Sequence, residues 1–207
     1  YALPPALMDD DPEAEAANIA DAESSWGEGT STVWLYTEAA KARLDIYRGR
    51  HRAALDRIEA AYPLAKRNGL LNIDFNLNVT EVMRAAAAAP LAGTDPSARR
   101  VLDKAVHNLD GIRMGIAEGS LHTWQALQHI LDGDPRAALV ANEQARLAAE
   151  SVGTPWQVAM VDIQRAWLTG DDPSEPVARL ASMGMADPIR ITTLYAWAPG
   201  GPAPSPM

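Results

Sequence analysis

Residues 48–55 read RGRHRAAL and residues 132–139 read DGDPRAAL. The shared pattern Gly-x-x-Arg-Ala-Ala-Leu recurs 84 positions apart, Gly49 answering Gly133 and Leu55 answering Leu139. Extended in both directions, the match brings in Ile46 with Ile130 and Gly69 with Gly153 at the same separation. Such a separation leaves room for two units of half that length, and the glycines mark them. Gly49, Gly93, Gly133 and Gly170 are 44, 40 and 37 residues apart, while Gly69, Gly111, Gly153 and Gly184 are 42, 42 and 31 apart. The two series interleave, so each period of about 40 residues has two punctuation points and therefore two helices.

Helix starts support the same frame from independent chemistry. Asp-Pro occurs at Asp11-Pro12, Asp95-Pro96, Asp134-Pro135, Asp172-Pro173 and Asp187-Pro188, and Thr154-Pro155 is a sixth pair of this kind. Each offers a side-chain oxygen as N-cap, followed by the residue whose missing N–H is harmless at the first helical position. A glycine ending one helix and an Asp-Pro opening the next make a tight helical hairpin. Apolar spacing fills the helices: Ala54, Ile58, Ala61, Tyr62 and Ala65 share a face at 3.6 residues per turn, as do Ala117, Leu121, Trp124, Leu127 and Leu131. One stretch disputes the pattern, because Leu71, Ile73, Phe75, Leu77 and Val79 alternate as a strand would. Its continuation into MRAAAAA and the helical face Phe75, Val79, Val82 and Ala86 decide for helix.

The layout is a helix near 12–25, then pairs at 31–48 with 51–68, 71–89 with 96–110, 114–131 with 135–151, and 155–169 with 173–183, and a last helix at 188–197. The fold class is an all-α solenoid of stacked antiparallel helix pairs, about four pairs plus terminal helices, because units with one apolar stripe must stack to bury it. Residues 1–30 form an acidic N-terminal segment, 31–197 the repeat domain, and 198–207 a Pro- and Gly-rich tail whose composition predicts disorder.

The formal net charge of -9 is concentrated in the head: residues 1–40 hold nine acids and no Lys or Arg, leaving a neutral body. An acidic head repels phosphates, which argues against nucleic acid as partner. With no bases near them in sequence, these acids are expected to contribute little to stability. No apolar run approaches the ~18–20 residues of a membrane span, and no basic n-region of a signal peptide precedes the body. The absence of cysteine excludes disulfide frameworks, thiolate zinc sites and cysteine nucleophiles, and fits a cytoplasmic protein. The start at Tyr1 points to a piece of something larger.

The turn GDPRAAL feeding a second helix resembles a divergent tetratricopeptide-type repeat, with a period longer than 34 residues and without the usual Trp-Leu-Gly-Tyr pattern. More specifically, DIYRGRHRAALDRIEAAYPLAKRNGLLNIDFNLNVTEVMRAAAAA, LDGDPRAAL and GMADPIRITTLYAWAPG resemble the C-terminal helical region of large myxobacterial-type serine/threonine protein kinases, over about residues 31–200. In that family the kinase domain, and sometimes an ATPase domain, lies upstream. None of their motifs is present in this chain, so kinase activity carries over to no residue.

The candidate chemistry is sparse. No Gly-Lys-Ser/Thr occurs, and GEGTSTVW lacks the lysine of a phosphate cradle. Gly111, Gly115 and Gly119 recur at four residues, which clears one side of a helix for close packing or delays its start. Asn78-Val79-Thr80 matches a glycosylation acceptor, but it falls inside an expected helix. Trp34, Trp124, Trp156 and Trp167 lie in apolar helices and are expected in the core. The histidines are His51, His107, His122 and His129. Glu118, His122, Gln125, His129 and Asp132 step by 4, 3, 4 and 3 along one side of a helix, opposite Leu121, Trp124 and Leu131. His122 and His129 are two turns apart, about 10.5 Å along the axis, too far to share a zinc ion. No catalytic, cofactor-binding or metal-binding residue is therefore assigned. The expected function is a protein-interaction or sensory scaffold binding a protein or peptide on the concave face of the first helices, with Glu118, His122, Gln125 and His129 among the contacts. The alternative is a small-molecule-sensing regulatory domain, which needs an enclosed pocket with aromatics and convergent polar groups.

Overall fold

The computed structural model describes residues 3–26, 31–199 and 201. Among them are eleven helices, one 3-10 turn and no strand. Helices α1 (Pro5–Met8) and α2 (Pro12–Trp26) precede four hairpins: α3 (Thr32–Tyr47) with α4 (His51–Arg67), α5 (Asp74–Ala88) with α6 (Pro96–Asp110), α7 (Gly115–Leu131) with α8 (Pro135–Ser151), and α9 (Pro155–Thr169) with α10 (Ser174–Ser182). Helix α11 (Pro188–Thr192) comes last. From α1 to α11, consecutive helices pack on one another, save that the 3-10 turn Leu70–Asn72 intervenes between α4 and α5. The chain is an all-α solenoid of stacked helix pairs.

The two copies of the opening motif make the same backbone turn. Gly49 N–H donates to Ile46 O and Arg50 N–H to Asp45 O; Gly133 N–H donates to Ile130 O and Asp134 N–H to His129 O. Each pair of bonds is a Schellman closure, which needs a left-handed residue at the position after the cap. Gly49 and Gly133 supply it, at φ 73° and 79°. The alanines that follow, Ala54 and Ala138, are completely buried. They let the second helix of a pair lie close against its neighbours.

Asp95, Asp134 and Asp187 accept hydrogen bonds from backbone N–H groups in the first turn of α6, α8 and α11, as N-caps do. Asp11 accepts from Ala14 N, at the start of α2. Thr154 departs from the expectation: α9 does begin at Pro155, but the Thr154 hydroxyl donates back to Ala149 O and caps nothing. Asp172 bonds Ser174 N, so α10 starts one residue after Pro173.

The alternating stretch resolves as helix, for a visible reason. Leu71 sits in the 3-10 turn and Ile73 is the exposed N-cap of α5, so the alternation never becomes a face. Val79, Val82 and Ala86 are buried, whereas Phe75 is 39% exposed and meets Tyr36 edge-on at 6.1 Å. Of the four tryptophans expected in the core, Trp124 is fully buried; Trp34, Trp156 and Trp167 are half-buried.

Three expectations are corrected. Helix α11 stops at Thr192 rather than 197, and the chain then runs without helix. The ordered chain continues through Ala198, which is completely buried, so the tail does not begin there; residues 200 and 202–207 lie outside the described residues. The acidic head is not an idle surface. Leu7 and Ile19 join the main core, Glu13 pairs with Arg48, Glu23 with Lys41, and Asp10 with Arg190. Bases distant in sequence are close in space, so α1 and α2 cap the first hairpin, as an end repeat of a solenoid must. The Trp26 side chain lies outside the described residues.

Candidate functional site

Helix α3 packs on α5 and α5 on α7, and Gln164 of α9 reaches the Thr123 carbonyl of α7. The second helices α4, α6 and α8 do not pack on one another in this way, although Asn108 of α6 donates to the Tyr62 hydroxyl of α4 at 3.3 Å. The first helices therefore line the inner side of the stack, where a solenoid presents its binding surface.

That inner side is occupied by the chain's own C-terminal strap, residues 186–199. At one end Ala186 N–H donates to Met8 O at 2.7 Å, and the Arg190 guanidinium bonds Asp10 at 2.9 Å while lying 5.1 Å over the Tyr47 ring. Tyr47 donates its hydroxyl to the same Asp10 carboxylate at 2.7 Å. Ile191 and Leu194 are fully buried in the middle. Tyr195 then packs edge-on against Trp156 of α9 at 5.4 Å. At the far end Gln164 Nε2 donates to both Thr123 O, at 3.0 Å, and Trp197 O, at 2.9 Å, and its Oε1 accepts from Asn142. The strap thus ties α1 to α9.

The seat is imperfectly matched. The Tyr195 hydroxyl, Trp197 Nε1 and Arg43 Nε are buried with no hydrogen-bond partner among the described residues. Burial holds the Tyr195 phenol above its ordinary pKa, opposed by the Arg43 charge. Tyr195 as a whole is half-buried, and its hydroxyl is buried. Beneath Tyr195 and Ala196 lies a cavity of about 20 Å³ floored by Gly119, Ser120, Thr123 and Met160.

The sequence-derived stripe lies elsewhere. Leu121 and Gln128 mark the side of α7 turned to α6, since Gln128 bonds Asp103 at 2.7 Å. Gly119 marks the side turned to α8, 3.8 Å from Ala145 O as measured from where its Cβ would be. At about 100° per residue, Glu118, His122, Gln125 and His129 fall between these two sides. They are on the outside of the stack, away from the strap. Glu118 is exposed, the other three are half-buried, and His122 Nδ1 donates to Gln125 Oε1 at 2.8 Å. Glu118 and His122 border an open groove of about 550 Å³ with Asp110 and Arg113; Gln125 and His129 do not reach it. Asp132, the last of the stripe, pairs with Arg99 of α6.

A second polar constellation escaped the sequence reading altogether. Glu81, completely buried on α5, accepts from Tyr62 at 3.0 Å, Asn108 at 2.7 Å and Arg84 at 2.7 Å. Arg84 also bonds Glu59 and stacks 4.2 Å over Tyr62, whose phenol is pushed up to about 12, first by burial and then by Glu81. The signal was there: Asn76, Asn78, Thr80, Glu81 and Arg84 are polar in a helix whose other residues after Asp74 are all apolar. Each charge in this knot is paired and hydrogen-bonded, which makes it a structural tie between α4, α5 and α6. Among the described residues no group of three or more His, Asp or Glu is placed to hold a metal ion, and no helix is long and apolar enough to cross a membrane. No family model matches the chain, and comparison with curated proteins and with solved structures returns no match.

Proposed function

We propose that this chain is a protein-interaction scaffold that binds a protein or peptide segment along the inner side of its first helices, as a regulatory region of a larger bacterial signalling protein of the serine/threonine kinase type. The observation that carries the binding mode is the strap. The segment lies along the inner side, without helix after Thr192, with apolar side chains buried and the Trp197 main-chain carbonyl held by Gln164. Main-chain recognition of this kind accepts a range of sequences. The signalling setting is supported by the sequence resemblance over residues 31–200. A small-molecule site is less favoured, because the cavity on the inner side is the size of a single water, against the several hundred Å³ of an ordinary ligand pocket. The outer stripe of Glu118, His122, Gln125 and His129 is the second surface proposed, with the adjacent open groove as its support.

The test begins with partners captured by the immobilised chain, identified and then remade in pure form. A photo-crosslinking residue placed at Ser120, on the inner side, is expected to capture the purified partner. Capture only from His122 or His129 moves the binding site to the outer stripe. ATP hydrolysis by the purified chain contradicts the non-enzymatic reading.

A further inference from the structure

We propose that the strap is an intramolecular competitor: it holds the inner groove closed, and a partner segment of the same apolar and aromatic chemistry takes its seat when the strap lifts. This rests on the inner side being the binding surface. Three features set residues 186–199 apart from ordinary core. First, the strap is held at its N-terminal end by a charged latch at the surface, Arg190 with Asp10, rather than by helix packing alone. Asp10 is 40% exposed, so water competes for the contact. Second, residues 196–198 carry no helix, and the groove reaches them through Gln164, whose amide holds the Trp197 carbonyl instead of a side chain. A backbone carbonyl is something any peptide brings. Third, the fit is incomplete, with the Tyr195 hydroxyl and Trp197 Nε1 buried unpartnered and space left beneath Tyr195. A segment that offered an acceptor to Arg43 Nε and brought no buried unpaired donor of its own would be held better than the strap.

Where a site is open for only a fraction of the time, its apparent affinity is reduced by that fraction. Weakening the latch must therefore tighten binding in trans by the same factor by which it raises the population of the open strap. The experiment uses the full chain as wild type, Arg190→Gln and Asp10→Asn, and a fluorescent synthetic peptide of residues 186–199. Peptide affinity and amide hydrogen exchange of residues 193–198 are measured together, with α5 as internal reference. The expected result is that both variants bind the peptide at least tenfold more tightly than wild type, and that strap exchange accelerates by a matching factor while α5 does not change. Strap amides exchanging only as fast as α5 in every form overturn the proposal, because the strap is then part of one cooperative core. Loss of helical structure in both variants overturns it for the same reason. Faster strap exchange without peptide binding also overturns it, and places the fault in the inner groove as a binding surface rather than in the strap. Concentration-dependent dimers of the wild type overturn it in favour of a second copy supplying the strap.

Discussion

His51 carries an electrostatic signature that burial alone sets. It opens α4, is only 8% exposed, and neither ring nitrogen has a hydrogen-bond partner among the described residues. Burial pushes its pKa down from 6.5 to about 4. The folded pKa lies below the unfolded one, so between these values the unfolded chain binds the proton and the folded chain does not. Stability is therefore full above pH 6.5 and drains away as pH falls toward 4, by up to about 3 kcal/mol for a shift of this size. Urea melts of wild type and His51→Leu should diverge across that window, with the variant losing the His51 share of the slope. Parallel curves would show the ring to be solvated. Gly119 makes a steric counterpart. A Cβ there would stand 3.8 to 3.9 Å from α8 atoms, an ordinary contact. Gly119→Ala is expected to be neutral or to stabilise by about 0.5–1 kcal/mol through helix propensity. Gly119→Val, with two more methyl groups against the α8 backbone, is expected to cost about 1–3 kcal/mol. Equal midpoints in denaturant for the two variants would show that α7 and α8 are not in close contact.

At the scale of helices and turns, the twin motifs provide a controlled comparison. Both copies make the Schellman closure, but only the second carries a side-chain cap: Asp134 bonds Ala137 N, while Arg50 at the equivalent position bonds no backbone N–H of α4. Asp134→Ala should therefore destabilise by about 1 kcal/mol and Arg50→Ala by less than about 0.5 kcal/mol, since the exposed Arg50 loses one ion pair while the buried Asp45 keeps its second partner, Arg57. Thermal or urea melts decide it, and equal losses would contradict the cap assignment. The same local chemistry explains why helix positions were legible in the sequence. Asp-Pro and glycine act within a few residues, so α6, α8 and α9 begin at the expected Pro96, Pro135 and Pro155. What depends on distant partners was not legible. Nothing near Asp10 in sequence announces Arg190, and nothing in Ile191–Ala198 says that it lies along an inner face. The stripe was correctly seen as one side of α7, but a helical wheel cannot say which side a stack will turn outward. That is decided by Gln128 meeting Asp103 and Gly119 meeting Ala145.

Over the whole molecule, the first helix, α1, meets the segment that follows α10. The core runs as one cluster from Leu7 and Ile19 to Ile191 and Leu194, with Met185 and Leu180 between. The N-terminal cap is part of this unit, so Ile19→Ala should cost about 2–4 kcal/mol, the loss typical of a buried aliphatic residue, and deletion of residues 3–26 should cost more. An unchanged melting temperature after that deletion would return the head to the role its charge alone suggested. Closure is the central structural claim, because the strap that joins the ends also fills the inner side. An open stack of this length, with α2 and α10 separated by four interaxial steps of about 10 Å, would hold its ends about 40 Å apart. The chain has no cysteine, so spin labels at Asp9→Cys and Ala186→Cys report on those two positions alone. Both residues are exposed, and each adjoins the hydrogen bond from Ala186 N to Met8 O. Pulsed electron–electron distance measurement on the doubly labelled chain is expected to give one narrow population below about 25 Å, allowing for the label arms; a dominant population near 40 Å, the length of the open stack, would contradict the closed solenoid.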